Sequence, residues 1–245
     1  MTDITPGVRA DLAPTGTLRA GINYGNFILA TKDKVTGESS GVAIDLMQDL
    51  ARRLGVPAEI VAYDSVAAMG DAAPTNAWDI AFLGSDPQRE KLMSFTPAYL
   101  EIDATYLVPS ASPLRTADEV DREGVRVAAP ARANFELFLS RNLKHAQLVS
   151  TQGAEAAFDL LVTGKVDALA GLKQGLLDLH GKLPGSRILD GRFMGVQQSI
   201  AVPRGRDAGL AYLRRVVEDA KRSGLIARAI GRTGTHGVSV APLSD

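Results

Sequence analysis

The chain contains no cysteine. Disulfides, thiolate metal ligands and a cysteine nucleophile are therefore excluded, while the redox state of the compartment stays open. Histidine is nearly as scarce. His145, His180 and His236 stand far apart in no ligand spacing, so neither a metal site nor a cofactor is expected. Aromatic residues make up 5% of the 245 residues, with a single tryptophan, Trp78, which argues against stacked recognition of sugars or quaternary ammonium groups. Neither sign of charge dominates: 27 Lys and Arg stand against 28 Asp and Glu, with no basic run to mark a nucleic-acid or anionic-membrane surface. No apolar run approaches the roughly 18–20 residues that span a bilayer, so no membrane insertion is expected. The N-terminal "MTDITPGVRADLAPTG" has no basic segment followed by an apolar one and does not read as a leader. A leader removed upstream would make the protein periplasmic; a chain complete as it stands would make it cytoplasmic.

What is present is an alternation of periods. Thr17 to Ile22 reads as a strand between turn signals. Gly41 to Leu54 carries Ala43, Leu46, Met47, Leu50, Ala51 and Leu54 on one helical face, with Gly55 just past the end. Ala58 to Tyr63 is a strand, and Trp78 to Gly84 is a nearly continuous apolar strand of the kind covered on both faces. Strands at Val125 to Ala129, Gln147 to Ser150 and Val166 to Gly171 alternate with helices at Phe135 to Leu143 and Ala154 to Thr163. A strand follows at Val196 to Pro203, and Asp207 is placed to cap a helix with Leu210, Leu213, Val216, Val217 and Ala220 on one face. Strands alternating with helices predict an α/β architecture with mainly parallel sheets flanked by helices. The pattern restarts at Gly124, after the Pro- and Ser-rich "VPSASPLRTADEV", which points to two lobes joined by two crossings, with a ligand cleft between them.

In order and spacing, "TLRAGINYG", "TGESSGVAIDLMQDLARRLG", "WDIAFLGSDPQREKLMSFTPAY", "GVRVAAPAR" and "GKVDALAG" resemble type II solute-binding proteins of the branch serving polar amino-acid ABC importers. The resemblance covers about Thr17 to Gly231. It implies the two-lobed periplasmic-binding-protein-like fold closing like a hinged clamp. Lobe 1 would be residues 1–108 and 194–245, and lobe 2, inserted, residues 109–193. It also implies a monomer that carries a small anionic or carboxylate-bearing ligand to an ABC permease.

The site residues follow from the same resemblance. The family's carboxylate-binding arginine stands six residues before a Phe, which here is Arg89 before Phe95. Asp86 as N-cap and Pro87 as first helical residue would pin a helix carrying Arg89. Backbone N–H groups at Gly84 and Ser85 would lie nearby, and a guanidinium grips a carboxylate in a two-point fork. Where the family has a Gly-Thr-Thr-like loop, this chain has Arg132, Ala133 and Asn134; Asn134 could equally cap the following helix. Where amino-acid binders place an acid, counting from Asp167 reaches Leu172 and then Lys173. No carboxylate is then offered to an α-ammonium, and a pocket with Arg89, Arg132 and Lys173 would want an anion. The first loop places Asn26, next to Phe27, where the family often has an aromatic cap. An enzyme on the same fold is the alternative, with a cyclohexadienyl-dehydratase-like lyase the nearest case. "GLKQG" lacks the acid that chemistry would use, so no catalytic residue is assigned.

Overall fold

The computed structural model describes residues 4–244. Met1–Asp3 and Asp245, the outer ends of the lobe assigned from sequence, lie outside the described residues. The chain forms two compact units, one of Met1–Glu101 with Gln197–Asp245 and one of Ile102–Val196.

The first unit opens with α1 (Pro6–Leu12), β1 (Leu18–Asn23) and the short pair β2 (Thr31–Lys32) and β3 (Ser39–Ser40). It continues through α2 (Val42–Leu54), β4 (Ala58–Tyr63), α3 (Val66–Asp71), β5 (Ile80–Gly84) and β6 (Met93–Phe95). The chain leaves it along β7 (Leu100–Pro109). The second unit runs through β8 (Arg126–Pro130), α4 (Asn134–Asn142), β9 (Gln147–Thr151), α5 (Ala154–Val162), β10 (Ala168–Leu172), α6 (Lys173–Lys182) and β11 (Ser186–Ile188). β12 (Met194–Pro203) returns the chain to the first unit, which ends with α7 (Asp207–Arg222), α8 (Leu225–Thr233) and β13 (Val238–Val240).

In the first unit β4, β1 and β5 run parallel, and β12 adds to β5 antiparallel. In the second, β9, β8 and β10 run parallel, and β7 adds to β10 antiparallel. Each unit is therefore an α/β layer structure on a mainly parallel sheet, as the alternation of periods predicts. Trp78 fills the first core, fully buried against Met69, Leu83, Met93 and Ala201. Its indole Nε1 donates to the Met69 carbonyl at 3.0 Å, so the large ring is buried without leaving its polar atom unpaired. Leu107, Ala128, Leu161, Val166, Leu169 and Leu176 form the core of the second unit.

One device occurs in both units. The Asp79 carboxylate accepts from Arg19 Nε at 3.0 Å, from Nη2 at 2.8 Å and from the Arg19 backbone N–H at 3.0 Å. The Asp79 N–H in turn donates to the Arg19 carbonyl at 2.8 Å. In the second unit Asp167 and Arg126 repeat the arrangement, with Nε and Nη2 both at 3.0 Å and the backbone N–H at 2.8 Å. These forks shift two expected strand starts. Asp79 and Asp167 are tied to the neighbouring strand before regular pairing begins, so β5 starts at Ile80, not Trp78, and β10 at Ala168, not Val166.

The hydrogen bonds from Arg126 hold the Asp167 carboxyl below its ordinary range. Burial would by itself raise Asp121, but N–H groups of Ala146, His145 and Lys144 outweigh it and also bring that carboxyl down. A depressed carboxyl binds its proton less tightly folded than unfolded. The stabilisation is thus present above about pH 4 and is lost as pH falls through the lower folded values. Asp167→Asn should lower the melting temperature at pH 7 and flatten its fall between about pH 4 and 2. An acid limb identical to wild type in a pH series of thermal melts would show that the fork carries no pH-dependent stability.

The cap of α7 differs from expectation. Arg206, with φ −99° and ψ 57°, is the N-cap of α7 and contributes no side-chain bond; Asp207 is the first helical residue. There its negative charge suits the helix N-terminus without capping it. No helix among the described residues is long and apolar enough to cross a membrane.

Candidate ligand-binding site

In an α/β sheet, ligand groups gather where parallel strands end and helices begin. In the first unit those ends are the loop after β1, with Asn26 and Phe27, and the loop after β5, with Gly84, Ser85 and Arg89. β1 and β5 are parallel neighbours, so the structure brings the five candidate residues to one edge. Arg89 is 8% exposed, and its Nη1 donates to the Gly84 carbonyl at 2.7 Å. A buried guanidinium fixed to the end of its own strand is pre-oriented, and its five N–H donors in a rigid fork suit a carboxylate.

The local fold around it is tighter than the expected α-helix. Arg89–Lys91 is a single 3-10 turn. Its N-cap is Gln88, with no side-chain bond, not Asp86, and its first residue is Arg89, not Pro87; Asp86 instead turns the chain just before it, its Oδ1 accepting from the Gln88 N–H at 2.8 Å and its carbonyl from the Glu90 N–H at 3.0 Å. The chain cannot extend this turn because Met93 must enter β6, which pairs with β12. The Ser85 N–H donates to the Gln197 carbonyl at 3.3 Å and so belongs to the sheet.

Phe27 is exposed at 36%. Asn26 turns the loop through its carbonyl, which accepts from the Leu29 and Ala30 N–H groups, and its side-chain Oδ1 is buried with no hydrogen-bond partner. Gln198, the register partner of Gly84, also has an unpartnered Oε1 although the residue is only 3% exposed. A cavity of about 640 Å³ in this unit is lined by Ser85, Phe95, Thr96, Gln197, Ser199, Arg214 and Arg215, among others. Of the candidate residues it touches Ser85 alone.

In the second unit the parallel register Ala168↔Val127 and Leu169↔Ala128 sets the ends of β8 and β10 side by side. The Arg132–Asn134 loop and Lys173 therefore share an edge. Arg132 has φ +63°, a left-handed conformation that a long side chain rarely takes. What holds it is Glu136, which sequence reasoning missed. This residue is 7% exposed; its Oε2 accepts from the Arg132 N–H at 2.9 Å and its Oε1 from Ser150 Oγ at 2.6 Å. The signal available was an acid in the first turn of the helix after "PARAN", where a carboxylate reaches back to free N–H groups. Ala133, not Asn134, is the N-cap of α4, with φ −67°, ψ 149° and no side-chain bond; Asn134 is the first helical residue and is buried.

Lys173 is the first residue of α6, half-buried, after an N-cap, Leu172, that offers no side-chain acceptor. Asp167 lies at the opposite end of β10, engaged by Arg126. Among the described residues no group of three or more His, Asp or Glu is placed to hold a metal ion.

Comparison with known proteins bears on the family and the fold. Residues 18–232 match the bacterial extracellular solute-binding proteins, family 3. The L-cystine-binding protein TcyJ of Escherichia coli K12 is 24% identical over 217 residues, covering 86% of this chain and 80% of that protein. Among solved structures, a mutant of ArgBP of T. maritima superposes with a TM-score of 0.73 at 22% identity, over 92% of this chain and 98% of that one. A putative ABC-transporter binding component of Wolinella succinogenes, complexed with lysine, gives 0.75 at 20% identity over 89% and 95%. The ancestral amino acid-binding protein AncCDT-1, a precursor of cyclohexadienyl dehydratase, gives 0.73 at 22% identity over 91% and 96%. The structural likenesses establish the fold, and the family match, which spans most of the sequence, establishes kinship: the chain belongs to the bacterial extracellular solute-binding proteins, family 3.

Proposed function

We propose that this protein is the solute-binding component of an ABC importer and that it holds a small carboxylate-bearing solute on the Arg89 guanidinium. The observation that carries the reading is the buried, pre-oriented Arg89 at the end of β5. The relatives support it: TcyJ is named for L-cystine, ArgBP has been solved bound to arginine and the Wolinella protein complexed with lysine, ligands that differ in their side chains and share an α-carboxylate beside an α-ammonium. The reading is of a binding protein and not of a catalyst. AncCDT-1 is a precursor of cyclohexadienyl dehydratase, but the segment "GLKQG", where β10 passes into α6, offers no carboxyl group as general acid.

Thermal unfolding against a panel of amino acids and non-amino carboxylates tests this. A solute at 100 times its Kd adds about 2.7 kcal/mol, and each kcal/mol raises the melting temperature of a chain this size by roughly 2–4 °C. At least one carboxylate should therefore raise it by about 5 °C or more. Silence from every carboxylate, or an equal response to the matching uncharged amides, would overturn the reading.

A further inference from the structure

We infer that the first unit carries a further ligand site, independent of Arg89, that takes a small molecule with an apolar body and an oxyanion group. The site is the cavity of about 640 Å³ bounded by α7, by β12 and by the end of β6 with the residues that follow it. Its volume is that of a small-molecule pocket, and its lining has the same character, with Phe95, Pro97 and Ala98 beside a few polar groups. Gln197 and Ser199 stand two apart on β12 and so turn one strand face to the cavity. Ser199 is 1% exposed, yet its hydroxyl makes no hydrogen bond among the described residues, where buried polar side chains are in large majority paired. Thr96, in the same lining, shows the contrast. Its Oγ1 donates to the Pro97 carbonyl at 2.8 Å and accepts from the Ile200 N–H at 3.0 Å.

The charges of the lining decide what the cavity attracts. Arg214 and Arg215, exposed on α7, make no hydrogen bond and no ion pair among the described residues. The acids beside them are largely engaged. Glu218 is ion-paired with Lys221 Nζ at 2.7 Å and accepts from the Ser244 N–H at 3.3 Å. Asp219 is shared by Arg53 at 3.7 Å and Arg222 at 3.9 Å. Glu90, exposed, is the one carboxylate of the lining with neither kind of partner among the described residues. Two unengaged guanidinium groups therefore stand against a single unengaged carboxylate, and the balance favours an anion. A guanidinium meets an oxyanion with parallel N–H donors, and the Ser199 hydroxyl has a hydrogen bond to give. The apolar residues of the lining suit the body of such a molecule. Ser85, the residue shared with the Arg89 edge, has its N–H on the Gln197 carbonyl.

Isothermal titration of the full chain with benzoate and phenyl phosphate, and with benzyl alcohol as their uncharged match, tests the site. At least one of the two anions should bind wild type and benzyl alcohol should not, the stronger anion identifying the oxyanion as carboxylate or phosphate. The double variant Arg214→Gln/Arg215→Gln should weaken that anion about tenfold or more, and Ser199→Ala about two- to tenfold. Arg89→Ala, or Arg89→Lys where the alanine variant does not fold, should leave its affinity unchanged. Loss in the Arg89 variant with the double variant unaffected places the anion on Arg89, which overturns the inference and leaves the carboxylate reading standing. Wild-type affinity in Ser199→Ala overturns it too, because the arginines then act as surface charge and not as part of a site. Silence from both anions, equal binding of benzyl alcohol, or an unchanged affinity in the double variant overturns it outright.

Discussion

On the proposed reading, replacing Arg89 by alanine should weaken binding of the carboxylate solute by about two to four orders of magnitude, because two charge-assisted hydrogen bonds of roughly 1.5–3 kcal/mol each would be lost. The chain still folds, but not at full stability. Arg89 Nη1 holds the Gly84 carbonyl at 2.7 Å in a buried setting, and a buried acceptor left without its donor costs about 1–3 kcal/mol. Arg89→Lys separates the two roles. A lysine keeps the charge and can reach one acceptor, but it lacks the planar fork, so its affinity should fall between wild type and alanine. Titration calorimetry with the best solute from the thermal panel, alongside melts of each variant without solute, makes the comparison. Wild-type affinity in Arg89→Ala would remove Arg89 from the site and leave it a purely structural residue. An unfolded variant would be uninformative about binding, and for that case Arg89→Lys decides: affinity equal to wild type there rules out fork recognition.

The architecture was legible in the sequence because it is written in local periods. The 3.6-residue spacing of Leu46, Met47, Leu50 and Leu54 and the apolar run of Ile80–Gly84 are decided by side chains close together in the chain, and the structure places α2 and β5 there. Arg89 was singled out for a different reason, its distance from Phe95 matching the motif of the family it resembles, and its role as a ligand group is a proposal. The long-range contacts were not legible. Asp79 meets Arg19 across 60 residues, and Asp167 meets Arg126 across 41, although the recurrence of an Arg near the start of "TLRAGI" and "GVRVAA" with a later Asp before "IAFLG" and "ALAG" was a usable sign. Arg132 in the left-handed region could not be read from its identity, because arginine has no preference for that conformation. It is imposed by Glu136 and Ser150, which come from the next helix and the next strand. Capping was misread at α4 and α7 for one reason: polar residues near a helix start were taken as caps, while the backbone turned one residue earlier, at Ala133 and Arg206.

Gly41→Ala should destabilise the protein by about 2–4 kcal/mol, equivalent to a fall in melting temperature of roughly 5–15 °C. Gly41 is the N-cap of α2 with φ +125° and has no side chain to cap the helix. The cap is made by backbone instead: the Ala43 N–H donates to the Leu29 carbonyl at 3.0 Å. That close approach is why no other residue fits, since a Cβ on Gly41 would stand 2.4 Å from the Leu29 oxygen and 3.0 Å from Ala30 Cα. Both obstacles are main-chain atoms, so neither can rotate away, and the strain must move the 26–30 loop or the start of α2. The same substitution therefore reaches the proposed ligand edge, because that loop carries Asn26 and Phe27, and on that reading solute affinity should drop along with stability. Gly181→Ala provides the opposite sign as a control. Gly181 lies inside α6 with nothing within 4 Å of an added Cβ, so alanine there should stabilise by about 0.5–1 kcal/mol. Melts of the two variants on the same preparation decide the matter. If Gly41→Ala melts level with wild type, the carbonyl of Leu29 is not held against the helix start, and the glycine of the "GVAIDL" segment is there for some reason other than room.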